Sequence, residues 1–316
     1  MATCEAAVHL SGLEYAYGDR KALDRITLAV PEGESVAVLG PNGSGKSTLF
    51  GILSTLLPDY RGTVEVYGSE VRSHPDRVRG MIGVVFQSPS LDPLLTVREN
   101  LRYQGRLYGL SGSGLSERIT QGLDRVDLGD RADDRTGTLS GGLARRGEIA
   151  KALMHEPKLL LLDEPSSGLD PAARKRLWED LAALRGENGT TVLVTTHLID
   201  EADSCDRVLI LSEGKLVGQG TPSALKSEIG GEVLTFETTD PDRLTSVLIE
   251  SYNIEAGKSG SSVRVETSDG YSLAAKVSRG WPELVTSTAI RGPNLEDVYF
   301  HLTGHPFTTV AEGSSQ

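Results

Sequence analysis

The chain has 316 residues, enough for two domains of ordinary size with a core in each. Lys and Arg number 32 against 44 Asp and Glu, a formal charge of −12, and only 5% of residues are aromatic, which argues against a binder of nucleic-acid backbone or stacked bases. Cys4 and Cys205 stand far apart and make neither a disulfide framework nor a zinc cluster, and no apolar run approaches the roughly 20 residues of a membrane span.

The first ten residues lack the basic start and apolar stretch of a secretory signal. Ile26, Leu28 and Val30 alternate as a half-buried strand ended by Pro31-Glu32-Gly33. Short apolar runs at 36–39, 62–67, 82–86, 159–162, 191–195 and 207–211 predict further strands. Helical patterns separate them, so the chain reads as α/β with a partly parallel sheet. Thr96 and Glu99 form a capping-box pattern, and Asp170-Pro171 and Thr221-Pro222 each place a capping residue before a helix-opening proline. The stretch from about 88 to 156 is mostly helical in pattern and reads as an inserted helical subdomain.

Composition shifts after Gly230. Residues 232–238, 262–267 and 284–290 read as strands, with helices opening at Asp240-Pro241, near Tyr271 and after Asn294. That predicts a small α+β domain over 230–304, following a first domain over 1–229. Residues 305–316 lack periodicity and are expected to be disordered.

Gly40, Pro41, Asn42, Gly43, Ser44, Gly45, Lys46, Ser47 and Thr48 fit the phosphate-binding pattern G-x-x-x-x-G-K-[ST]. The pattern follows a predicted strand and opens a predicted helix, as it must. Its glycines let backbone N–H groups turn inward around phosphate, and the helix start adds partial positive charge. Lys46 is expected to reach the β- and γ-phosphates, and the Ser47 hydroxyl to ligate Mg²⁺. A second station lies at Asp163-Glu164, two acids closing the apolar run 159–162. Strand ends of this kind bind ligands in α/β proteins. Asp163 is the candidate second anchor for Mg²⁺ and Glu164 the candidate base that polarises the attacking water.

Between these stations stands Leu139-Ser140-Gly141-Gly142-Leu143. Here the chain resembles the ATP-binding cassette (ABC) ATPases, whose signature reads LSGGQ. The order of P-loop, Gln87, signature, Asp163-Glu164, Ser167-Gly168-Leu169-Asp170 and His197 matches over about residues 8–225. Leu143 departs from the pattern, in place of the signature glutamine. The resemblance implies a P-loop NTPase cassette with a RecA-like core, an antiparallel β subdomain and a helical subdomain. It implies that Tyr17 stacks on adenine, with Tyr15 as a competitor. It likewise implies that Gln87 senses Mg²⁺ and the attacking water, that His197 meets the γ-phosphate and that Asp170 meets the opposite protomer. It further implies that Ser140 and Gly142 bind, in trans, the nucleotide of a second cassette, expected to be another copy of this chain.

Residues 88–110 and 293–304 resemble the multidrug- and antibiotic-export ATPases of that family, and 230–304 resembles their small C-terminal domain. The expected function is an ATP-hydrolysing export subunit. It would lie at the cytoplasmic face of the membrane, held there by a separately encoded transmembrane permease. Two alternatives stand beside it: a soluble ABC ATPase acting on a macromolecular complex, and another P-loop enzyme. The helical insertion is short and only one P-loop is present, unlike DNA-repair and ribosome-acting relatives. A GTPase would carry N-K-x-D, which is absent.

Overall fold

The protein is described by a computed structural model covering residues 6–229 and 231–307. Contacts divide it into two units, one ending at Leu216 and the other starting at Val217.

The first unit opens with β1 (Ala6–Tyr17), β2 (Arg20–Pro31) and β3 (Ser35–Leu39), then α1 (Lys46–Leu53), β4 (Arg61–Val66), β5 (Ser69–Glu70), α2 (Pro75–Met81) and β6 (Ile82–Val85). Helices α3 (Val97–Leu107), α4 (Gly112–Arg125) and α5 (Gly141–Ala152) follow. The unit continues with β7 (Leu159–Asp163), α6 (Pro171–Asn188), β8 (Thr191–Thr196), α7 (Ile199–Asp203) and β9 (Arg207–Ser212). The division between units falls inside β10 (Lys215–Gly220).

Strands β2-β1-β4-β5 form an antiparallel sheet. A six-stranded sheet runs β10-β9-β3-β8-β7-β6, parallel from β9 through β6. Every residue of β3, β7 and β8 is buried, which is why these strands read as unbroken runs and not as alternation. One apolar core joins the two sheets around α1, with Leu49, Phe50, Ile52 and Leu53 packed among Val36, Val38, Leu159 and Leu193.

The predicted helical stretch is interrupted. Residues 86–96 are not helical, and short 3₁₀ turns stand at Gly129–Arg131 and Thr136–Thr138 before α5. The capping box of α3 is formed: Thr96 Oγ1 accepts from Glu99 N, and Glu99 Oε2 accepts from Thr96 N. Buried Asn100 fastens the loop ahead of that helix. Its Nδ2 donates to the carbonyls of Asp92 and Thr96 at 3.2 and 3.0 Å, and its Oδ1 accepts from Asp92 N at 2.9 Å.

The second unit carries α8 (Pro222–Ser227), β11 (Glu232–Thr238), α9 (Pro241–Tyr252), β12 (Ala256–Ser259), β13 (Ser262–Thr267), α10 (Gly270–Gly280), β14 (Val285–Arg291) and α11 (Leu295–Thr303). Its sheet is antiparallel, in the order β12-β13-β11-β14. The contact division falls at Leu216/Val217 and not at the change of composition near Gly230, because α8 packs on α11. Asn294 and Asp297 make the capping box of α11. Asp297, fully buried, also meets Arg264 at 3.1 Å and accepts from Arg291 Nη2 at 2.7 Å. The carboxylate thus fixes the last helix by both cap and charge. Residues 308–316 of the tail expected to be disordered lie outside the described residues. Phe307 departs from that expectation: it is buried and meets Tyr299 edge-on, with ring centroids 5.0 Å apart.

Candidate active site

Register brings the candidate residues to one edge. Leu39 of β3 lies beside Thr196 of β8, Asp163 of β7 beside Thr195, and Val85 of β6 beside Leu162. The segments holding residues 40–48, Gln87, Glu164 and His197 therefore all leave the sheet at its carboxyl edge, where open α/β sheets bind ligands.

The 40–48 loop is built by close backbone approach. A methyl at Gly40 would lie 2.4 Å from Ser44 Oγ and 2.5 Å from the Leu211 carbonyl. Gly45 has φ +107°, and a methyl there would lie 2.7 Å from the Ala22 carbonyl and 2.8 Å from Leu23 Cδ2. Ser44 N donates to Pro41 O at 3.2 Å, and Gly214 N to Ser44 O at 3.0 Å. Gly45→Ala is expected to lower stability by about 1–3 kcal/mol through backbone strain alone. Urea unfolding checks this, and an unchanged midpoint would contradict the crowding.

Lys46 starts α1 and is 4% exposed. Its Nζ donates to Gly40 O at 2.9 Å and Pro41 O at 3.1 Å, and stands 3.8 Å from Glu164 Oε1. Burial pushes its pKa below the usual lysine value, against the pull of Glu164 and Asp163. Ser44 Oγ is buried and has no hydrogen-bond partner among the described residues. A desolvated ammonium and an unsatisfied hydroxyl on a glycine-shaped loop fit phosphate oxygens. Ser47 is exposed at the same helix start, and Thr48 is buried behind it.

Asp163 is buried, which raises its pKa above the usual carboxylate value. Its Oδ1 accepts from Thr195 Oγ1 at 2.5 Å. Glu164, next along the chain, has a left-handed backbone at φ 44°. Its N–H is held by the Thr195 carbonyl and Oγ1, both at 3.1 Å. This strained residue turns its carboxylate toward the other candidates. Gln87 Nε2 donates to Glu164 Oε2 at 3.3 Å, and His197 Nδ1 lies 3.2 Å from Glu164 Oε1, outside hydrogen-bond alignment. Glu164 is the hub of Gln87, Lys46 and His197.

Tyr17 is 52% exposed and pairs with Arg20 across β1 and β2. Arg20 Nη2 stands 3.6 Å from where a Gly43 methyl would be, so this hairpin end lies at the phosphate loop. Tyr15 packs against the core and meets Tyr17 edge-on at 4.9 Å. Of the two rings, Tyr17 is the more exposed.

Ser140 and Gly142 are not brought to this cluster. No hydrogen bond or ion pair among the described residues joins them to the 40–48 loop or to Glu164. Ser140 caps α5 by accepting from Leu143 N at 3.4 Å, and a Gly142 methyl would lie 2.9 Å from Cβ of Ala173 at the start of α6. Asp170 caps α6, accepting from Ala172 N and Ala173 N at 3.0 and 2.9 Å.

Sequence reading passed over Thr195 and Glu201. Glu201 is buried, accepts from Thr196 Oγ1 at 2.5 Å and from Ser166 Oγ, and so ties the loop after Glu164 to the strand before His197. The polar pair Thr195-Thr196 closing an apolar strand was the available signal.

A family model described as ABC transporter matches residues 23–167, and one described as an AAA domain overlaps it at 149–201. The daunorubicin/doxorubicin resistance ATP-binding protein DrrA of Streptomyces peucetius is 40% identical over 309 residues, covering 95% of this chain and 93% of its own. The chain belongs to the ABC transporter ATPases. The Nod factor export ATP-binding protein I of Sinorhizobium fredii is 39% identical over 302 residues, covering 95% of this chain and 87% of its own. Among solved structures, the cassette MJ0796 in a dimeric post-hydrolysis state bound to ADP and Pi superposes with a TM-score of 0.62 at 31% identity, covering 68% of this chain and 98% of its own. CbiO1 of Clostridium perfringens, part of the transporter complex cbiONQ, gives 0.66 at 29% identity over 79% of this chain and 97% of its own.

This ABC ATPase thus binds and hydrolyses ATP and is of the export type. Its altered signature position is testable. The Ser140 cap uses the backbone N–H of Leu143, not its side chain. Leu143→Gln is therefore expected to change the ATPase rate only modestly. A change above about a hundredfold, ~2.7 kcal/mol, would show that this side chain acts in the transition state.

Proposed function

We propose that two copies of this chain close around two ATP molecules and drive a separately encoded membrane-spanning subunit of an exporter. The observation that carries this reading is the separation within one chain. The phosphate loop, Asp163, Glu164, Gln87 and His197 share one edge, while among the described residues no hydrogen bond or ion pair joins Ser140 or Gly142, at the start of α5, to any of them. A hydroxyl and N–H groups at a helix start suit a phosphate, and a second copy supplies one. No helix among the described residues is long and apolar enough to cross a membrane, consistent with a separate spanning subunit.

In this reading Gly40, Pro41, Asn42, Gly43, Ser44, Gly45 and Thr48 shape the cradle and Lys46 neutralises the phosphates. Tyr17 stacks on the base. Glu164 takes the proton of the attacking water. Gln87 orients that water and His197 meets the γ-phosphate, each already beside the Glu164 carboxylate. Ser47, Asp163 and Gln87 offer hard oxygen donors that fit Mg²⁺. Bound there, Mg²⁺ supplies charge neutralisation across the phosphate oxygens. A cation also favours the ionised form of Asp163, which burial opposes.

Two measurements test the reading. Chelation of divalent metal is expected to abolish ATPase activity and added Mg²⁺ to restore it; activity unchanged by the chelator would contradict the metal assignment. The tagged chain, purified from detergent-solubilised membranes of its own host, is expected to bring a membrane-spanning protein with it. Recovery without one would favour a soluble ATPase acting on another complex.

A further inference from the structure

Three side chains of α5 grip the non-helical segment that carries Gln87. Arg145 is buried; its Nη1 donates to the Phe86 carbonyl at 2.7 Å and its Nη2 to the Gln87 carbonyl at 3.2 Å. Glu148, also buried, accepts from Arg145 Nη1 at 2.7 Å and from Ser90 N at 2.6 Å. Lys151 Nζ donates to the Ser90 carbonyl at 2.6 Å. The segment 86–90 belongs to no helix or strand, so it has no backbone ladder of its own to fix it. Four of its backbone polar groups are met instead by side chains of α5, the helix that Ser140 caps.

We infer that Arg145 and Glu148 are positioning residues for Gln87, making its segment and the signature helix move as one body. The planar fork of Arg145 reaches two successive carbonyls while its own charge is met by Glu148, an arrangement a lysine cannot reproduce. Any shift of α5 when Ser140 engages a nucleotide is thereby delivered to Gln87, which stands 3.3 Å from Glu164. The inference rests on the proposed roles of Ser140 and Gln87: one end of the clamp reads a partner's nucleotide and the other acts on the chain's own.

A double-mutant cycle on the full-length protein tests it, with kcat and KM for MgATP measured for Arg145→Ala, Gln87→Ala and the pair. Among the described residues no hydrogen bond or ion pair joins Arg145 to the phosphate loop, so KM is expected to stay within about threefold of wild type. Misplacing Gln87 is expected to lower kcat at least about tenfold. If Arg145 acts through Gln87, the pair is no slower than Gln87→Ala alone, and Arg145→Lys recovers only part of the loss. Additive losses in the pair would overturn the clamp, since a merely structural role subtracts from either background. Wild-type kcat in Arg145→Ala beside a slow Gln87→Ala would overturn it as well. Wild-type kcat in Gln87→Ala would overturn the role of Gln87 itself, and the clamp with it. Should Arg145→Ala fail to fold, Arg145→Gln takes its place in the same cycle.

Discussion

Lys46→Ala is expected to abolish ATP turnover while leaving the fold intact. The ammonium is almost fully desolvated and rests on two carbonyls, with one carboxylate oxygen at 3.8 Å. Burial already lowers its pKa, so the folded chain holds this charge at a cost. A charge held in a cleft against its own desolvation marks a candidate binding group. Losing a preorganised donor aimed at developing charge costs about 10²–10³-fold in rate, and a full positive charge on the phosphates puts the expectation at the upper end, ~4 kcal/mol. Phosphate release and a thermal melt, measured together, check both halves. Wild-type turnover in Lys46→Ala would contradict the phosphate-loop assignment. A collapse of the melting temperature would contradict the view that this lysine serves binding and not packing.

Much of this site could be read from residue order, and the reasons differ from element to element. Strands β3, β7 and β8 are buried on both faces, so their apolar runs stood out, and each leads into candidate site residues. Capping chemistry was equally plain: Thr96 with Glu99 and Asn294 with Asp297 both form the box that their spacing predicts. Strand β1 escaped notice because Gly12, at φ 60°, sits where its register shifts against β2 and β4, which breaks the alternation. Strand β12 is only Ala-Gly-Lys-Ser and has β structure because β13 pairs with it. The hydrogen bonds of Thr195 to Asp163, Ser166 to Glu201 and Arg145 to Phe86 join segments 30 or more residues apart, and no local pattern encodes such partners. In sequence, Leu143 departs from the family signature while Ser140 and Gly142 keep to it. Structurally the departure is mild, because the cap runs through the backbone N–H at that position.

Glu164→Gln is expected to keep ATP bound while slowing hydrolysis by about 10²–10⁴-fold, the usual contribution of a positioned general base. Glutamine preserves shape and can still meet Gln87 and His197 across the short gaps that surround Glu164. It cannot take a proton. The strained backbone at residue 164 is fixed by Thr195 through main-chain contacts, so the substitution leaves that geometry in place.

With hydrolysis blocked, the proposed closure keeps the γ-phosphate between the phosphate loop of one copy and Ser140 and Gly142 of the other, and the pair is expected to be held together by its ligand. Size-exclusion chromatography of the Glu164→Gln chain with and without MgATP reads this directly. A nucleotide-dependent shift from monomer to a long-lived dimer is the predicted result, with the wild type monomeric or only transiently paired. A variant that elutes as a monomer with ATP demonstrably bound would contradict the closure of two copies of this chain around ATP.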